Sequence, residues 1–203
     1  MTVPVVTIRR SRWGRAAGRL PAPALAAVAL CLAVAAPAAP ARAAKWPNGV
    51  HMKEAVANVM VSAKTLGDLT EYGYAPGTCF LAAFIQRRAS VSMNIPMDAD
   101  TSYIFLGGGS KDADDVDIEV LDSRGRAVAR DDDADATPVV KFTPVRSGKY
   151  TLRLTLFKAD SACFCAVAIL QRGGYTVPIQ NLADATNDLI GFCNDVWSSG
   201  SSG

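Results

Sequence analysis

From Cys79 to Leu170 the chain is a succession of short apolar runs, each strand-length and each ended by turn residues. This pattern constrains the fold more than any other feature. Runs of four to eight residues rich in Val, Ile, Leu, Phe and Tyr, with Gly or Pro between them, build antiparallel sandwiches or barrels. The spacing predicts strands at Cys79–Ile85, Ser90–Ile95, Ser102–Leu106, Val116–Leu121, Ala127–Arg130, Thr137–Phe142, Lys149–Phe157 and Cys163–Leu170. Turns fall at Pro96, Gly107–Gly109, Gly125, Pro144 and Gly148. "LGGGSK" lacks the Walker spacing and reads as a hairpin loop.

The flanks have a different period. After "WPNG", residues Met52, Val56, Val59, Met60 and Ala63 recur at helical spacing, and Gly67 can close that helix. "EYGYAPGT" reads as a loop and "QRGGYTVPIQ" as a connector. Asn181 is suited to cap a second helix whose face carries Leu182, Ala185, Leu189, Ile190, Cys193 and Trp197. The expected fold is mainly β: a jelly-roll-like antiparallel sandwich of about eight strands with a helix at each end.

The N-terminal stretch reads as a leader. Arg9, Arg10, Arg12, Arg15 and Arg19 precede the apolar "PALAAVALCLAVAA", which is short and Ala-rich for a membrane span. Ala41 and Ala43 have the spacing a signal peptidase reads. The expected organisation is a signal peptide at 1–43, a helix and loop at 44–78, the sandwich at 79–171, a connector and helix at 172–197 and a flexible tail at 198–203. Without the leader the chain holds 15 basic and 19 acidic residues, because six arginines leave with it. The basic whole-chain balance is therefore a property of the leader, and no nucleic-acid patch is expected. A secreted or periplasmic protein with no membrane span in its mature form follows.

Four cysteines remain: Cys79, Cys163, Cys165 and Cys193. In an oxidising compartment an even count suggests disulfides. Cys163 and Cys165 project to one face of a strand, a poor geometry for bonding to each other, so the expected bridge joins that strand to Cys79 or Cys193. Zinc is disfavoured, since His51 is the single histidine and no second close cysteine pair exists.

The order of motifs resembles the bacterial pre-peptidase C-terminal domain over about Ala89–Leu170. "DADTSYIF", "DVDIEVLDSRG" and "FTPVRSGKYTLRL" carry the likeness. The resemblance implies a non-catalytic, jelly-roll-like secreted module that sometimes holds calcium. Two flanking helices and the cysteines are additional here.

The richest chemistry lies in "DDVDIEVLDSRGRAVARDDD", Asp114 to Asp133. Alternation turns Val116, Ile118 and Val120 inward and Asp115, Asp117 and Glu119 outward. A three-residue turn with Gly125 left-handed pairs Val120 with Val128 and sets Asp117 opposite Asp131 and Asp115 opposite Asp133. Four carboxylates, Asp115, Asp117, Asp131 and Asp133, then form a candidate calcium site, with a metal-free solvated acidic edge as the alternative. Asp112, Asp114, Asp132 and Asp135 lie nearby. A Ser-His-Asp arrangement around His51 makes no convincing catalytic constellation, and an enzyme or inhibitor with its site in the loops near Asp98–Ser102 or Gly173–Gln180 is a third reading. Tyr103, Tyr150 and Phe157 are expected in the core, and Trp46 and Trp197 beneath the helices. The expected function is an exported, non-enzymatic module binding an extracellular protein or polysaccharide; a metal-free envelope protein, or a hydrolase accessory or inhibitor, are the alternatives.

Overall fold

A computed structural model describes residues 49–200, with side chains as far as Val196. The leader, its cleavage point, Trp46, the side chain of Trp197 and residues 201–203 lie outside the described residues. In chain order the elements are α1 (Gly49–Leu69), β1 (Tyr72–Tyr74), β2 (Phe80–Ile85), β3 (Ala89–Met97), β4 (Tyr103–Gly109), β5 (Ala113–Leu121), β6 (Ala127–Asp131), β7 (Val139–Phe142), β8 (Gly148–Ala159), β9 (Cys163–Arg172) and α2 (Ile179–Gly200). The extra strand, β1, lies in the stretch expected to be a loop. Gly67 sits inside α1, and α2 starts two residues before Asn181, directly after Pro178.

Two antiparallel sheets face each other. One has the order β1-β9-β4-β7, with β2 also paired to β9 beyond the end of β1. The other has the order β3-β8-β5-β6. From β2 to β9 every connection crosses between the sheets except the β5–β6 hairpin, which gives the jelly-roll-like winding. Between the sheets lies the main core, including Phe105, Val116, Ile118, Val120, Leu152, Leu154, Leu156, Val167 and Ile169. Each such side chain contributes about 1.5–3 kcal/mol by leaving water.

The first sheet is covered on its outer face too. Met52, Val56, Val59, Met60 and Ala63 of α1 pack on Ile104, Leu106, Phe164, Ala166, Ala168 and Leu170, and Leu182, Leu189 and Ile190 of α2 join them. All seven residues of β4 are buried, as are the first eight of β9. Burial on both faces is why "YIFLGGG" and "CFCAVAIL" read as continuous apolar runs rather than alternations.

The glycines of β4 are a correction. Gly107–Gly109 form the end of a strand, and no hairpin loop occurs there. A Cβ on Gly108 would lie 2.8 Å from Val59 Cγ2, and one on Gly109 2.3 Å from Ala113 Cβ. The helix and the neighbouring strand come so close that a side chain has no room.

The cysteines also depart from expectation. All four are free thiols. Cys163 and Cys165 do share a face, but they point into the core between the sheets. Cys79 packs on the opposite side of that sheet, against the helix layer. A bridge from Cys79 to the Cys163/Cys165 pair would have to pass through the sheet. Burial raises every one of these thiols, and Cys165 reaches about 12.

Candidate functional site

Among the described residues no helix packs over the outer face of the second sheet. Alternation along β3, β8, β5 and β6 paves that face in rungs set by the register. Ser90 stands opposite Thr155, which stands opposite Asp117. Ser92, Arg153, Glu119 and Arg130 form the next rung, and Asn94 and Thr151 the one after it. The Ser90 and Thr155 hydroxyls are 2.8 Å apart, and Thr151 Oγ1 donates to Asn94 Oδ1 at 2.9 Å. Arg153 Nη1 donates to Glu119 Oε2 at 3.0 Å. Phe157, expected in the core, stands 57% exposed. Leu152, Leu154 and Leu156 take the inner positions of β8, so Phe157 is turned outward.

The β5–β6 hairpin bounds one end of this face. Its turn has the expected form: Gly125 has φ +77°, Asp122 N donates to Arg126 O at 2.9 Å, and Gly125 N donates to Asp122 O at 2.9 Å. Asp122 serves only this turn. Its carboxylate accepts from the Arg124 and Arg126 amides and from the Arg126 guanidinium, and those bonds hold it below the usual carboxylate range.

Beyond the turn the register differs from the expected one. A bulge leaves Val128 unpaired, so Val120 faces Ala129 and Ile118 faces Asp131. One residue of slip turns every later side chain to the other face. Asp131 is therefore not opposite Asp117. Its Oδ2 accepts from Val139 N at 2.7 Å and its Oδ1 from Asp133 N at 3.1 Å, joining the end of β6 to the start of β7. Asp133 is exposed, and Asp115 faces Lys158 instead of it.

Two irregularities flank Asp115 on β5, and they break the alternation. Asp115 is consequently buried, 7% exposed, instead of pointing outward with Asp117. Its Oδ1 has no hydrogen-bond partner. Above it runs the 132–137 loop, held by Asp135 O, which accepts from Val116 N at 2.9 Å, and by Ala136 against the core. Burial raises the Asp115 carboxyl, and the Asp135 charge raises it further, against the pull of Lys158. Asp117 is raised as well, by burial first and then by Asp115, Asp132, Glu119 and Asp131. Lys158 lies 3.6 Å from Asp114, and Arg130 3.2 Å from Asp132. Among the described residues no three His, Cys, Asp or Glu side chains form a ready-made metal cage.

His51 lies on the first turn of α1, with Nδ1 3.5 Å from Asp112 Oδ2 and 3.8 Å from Glu54 Oε2. The buried Ser110 hydroxyl makes no hydrogen bond to His51, so the two form no nucleophile–base pair. The cleft between α1, α2 and β2, lined by Met52, Met60, Phe80, Leu182 and Leu189, measures about 50 Å³. Small-molecule sites occupy about 300–1,000 Å³. Among the described residues no helix is long and apolar enough to cross a membrane.

No family model matches the sequence, and neither does any curated protein. Solved structures similar to the chain include PliG from Aeromonas hydrophila, a periplasmic lysozyme inhibitor of g-type lysozyme. It is 14% identical over 51% of this chain and 90% of its own, with a TM-score of 0.36. A CBM4 structure is 13% identical over 49% of this chain and 74% of its own, with a TM-score of 0.34. The carbohydrate-binding module CBM36, in complex with calcium and xylotriose, is 18% identical over 50% and 87%, with a TM-score of 0.28.

Proposed function

We propose that the chain is an exported, non-enzymatic binding module whose uncovered sheet, β3-β8-β5-β6, holds a polar extracellular partner, a polysaccharide in the first instance. The observation that carries this reading is the asymmetry of cover. Strands β4 and β9 of the first sheet are buried on both faces, whereas among the described residues the second sheet offers an open face of Ser92, Asn94, Arg153, Glu119 and Arg130 with Phe157 exposed beside them. Hydroxyl, amide and guanidinium groups in rungs suit a hydroxyl-rich polymer, and an exposed aromatic ring suits the C–H face of a sugar. The leader at 1–43 supports export to a secreted or periplasmic location. The motif order along Ala89–Leu170, which spans β3 to β9, supports kinship with pre-peptidase C-terminal domains.

The test is retention of the purified mature chain on insoluble cellulose, chitin, xylan and peptidoglycan. Arg153→Ser and Phe157→Ala should each weaken retention about tenfold, the value of one charge-assisted hydrogen bond or one aromatic contact. Val61→Lys, on the exposed side of α1, should leave it unchanged. Retention that survives both open-face variants refutes this use of the sheet. A wild-type chain retained by none of the four polymers refutes the polysaccharide reading.

A further inference from the structure

We propose that the outer edge of β3 pairs with the same edge of a second copy of this chain, joining two four-stranded open sheets into one continuous sheet. The pairing is independent of what the open face binds.

The edge is free and regular. Strand β3 pairs with β8 on one side, and among the described residues no strand pairs with its other side. Its nine residues run without a register shift, and it is the longest of the strands at a sheet edge. The hydrogen-bonding direction alternates along a strand, and two groups fix its phase. Leu156 O reaches toward β3, where Arg88 N donates to it at 2.7 Å beside Ala89. Pro96 has no N–H to give and is tolerated in a sheet only where that position faces away from the ladder. Ala89, Val91, Met93 and Ile95 therefore bond to β8, and Ser90, Ser92 and Asn94 turn their N–H and C=O groups outward.

Edge strands usually carry a device against such pairing: a charge, a bulge or brevity. At the other edge of this sheet β6 has the bulge at Val128 and the charges of Arg130 and Asp131. Strand β7 has four residues, one of them Lys141, and β1 has three. Strand β3 reads "ASVSMNIPM", without a charge, and only Pro96, near its end, interrupts the row of donors. Its inward side chains Val91 and Met93 are half-buried, whereas Leu154 and Leu152 opposite them on β8 are fully buried. A further strand along this edge would cover them.

The charges at the two ends select a second copy as that strand. Arg87 and Arg88 precede β3, and Asp98 and Asp100 follow it. All four are exposed, and none forms an ion pair among the described residues. A strand with bases before it and acids after it is complementary to itself when laid antiparallel. Strand β2 is uncharged as well, but no acid flanks it: "PGTC" precedes it and "QRR" follows. Pairing Ser92 with Asn94 of the second copy sets Met93 against its own counterpart on the twofold axis. Arg88 then stands opposite Asp98 of the second copy, and Ser90 donates to the Pro96 carbonyl. Each of these contacts occurs twice. The open faces fall on the same side, so Ser92, Asn94 and Arg153 of both copies share one surface.

The experiment is the mass of the mature chain by light scattering, without polysaccharide, over a range of concentrations. An interface this small is weak, so the mass should double between about 1 µM and about 1 mM. Met93→Lys puts two ammonium groups at the twofold axis and should weaken the dimer about tenfold or more. Arg88→Asp should weaken it about tenfold, and adding Asp98→Arg should restore it, because the exchanged charges face each other again. Aspartate is tolerated at the left-handed backbone of Arg88, φ 61°. Val61→Lys, on the exposed side of α1, should leave the mass unchanged. If Met93→Lys fails to fold, the charge exchange decides. A chain that is monomeric at every concentration overturns the proposal and leaves the edge to a strand of another protein. A dimer that keeps its affinity in folded Met93→Lys, or that the charge exchange does not restore, overturns it as well.

Discussion

Asp115 is a residue whose surroundings work against its own charge. Its carboxyl is raised by burial, as is that of Asp117, so the folded state holds protons on them more tightly than the unfolded chain does. For a raised acid the stabilising contribution is complete below the unfolded value, and it is lost as pH rises through the folded one. Asp115→Asn should therefore be more stable than wild type at neutral pH, by about 1–3 kcal/mol. The advantage should shrink to nothing on acidification, and denaturant melts at a series of pH values would show it. A constant difference across pH would mean that the amide repacks the corner rather than relieving a charge. Little of this was legible in the sequence. Alternation assigned Asp115 to the outside, and the assignment failed because bulges at Ala113–Asp115 and Asp115–Val116 reset the parity. Asp117 and Glu119, beyond those irregularities, do line the open sheet as alternation requires.

At the level of the element, the β5–β6 hairpin shows how one unpaired residue re-addresses a strand. The turn was readable because "DSRG" needs a residue tolerant of positive φ, and Gly125 supplies it. The bulge was not readable, since "RAVAR" alternates acceptably in either register. Deleting Val128 should make the ladder regular while leaving Val120 opposite Ala129 and Ile118 opposite Asp131, so that Asp131 keeps its bonds to Val139 N and Asp133 N. Asp131→Ala, which removes both bonds, should cost about 2 kcal/mol or more, measurable by urea unfolding. Helix α1 offers a parallel case. Its buried face is visible from period alone, but the glycine run that receives it at Gly108 reads as a loop, because nothing local marks a close approach. Gly108→Ala should drive Cβ into Val59 and destabilise by about 1–3 kcal/mol, with Val59→Ala partly rescuing it.

For the whole molecule, the sandwich with its end helices followed from patterns of period 2 and 3.6, while the layering did not. That the first sheet is covered twice determines the fate of the thiols. Cys193 and Cys79 are partly exposed, whereas Cys163 and Cys165 are buried in the core. Alkylation of the native protein should modify Cys193 and Cys79 first, and Cys165 only at the rate of global unfolding. Equal labelling of Cys79 and Cys165 under native conditions would contradict the placement of the two on opposite sides of the sheet. The same sheet has a further consequence. Its strands β1, β2 and β4 all pair with β9, which is the last strand of the chain to be made. None of the three has its main partner until residues 163–172 exist, and the partners are then joined across long sequence separations. Chains of that kind collapse late and slowly. A polypeptide emerging from the ribosome would therefore stay open through most of its synthesis, the condition in which a translocation channel can still thread it.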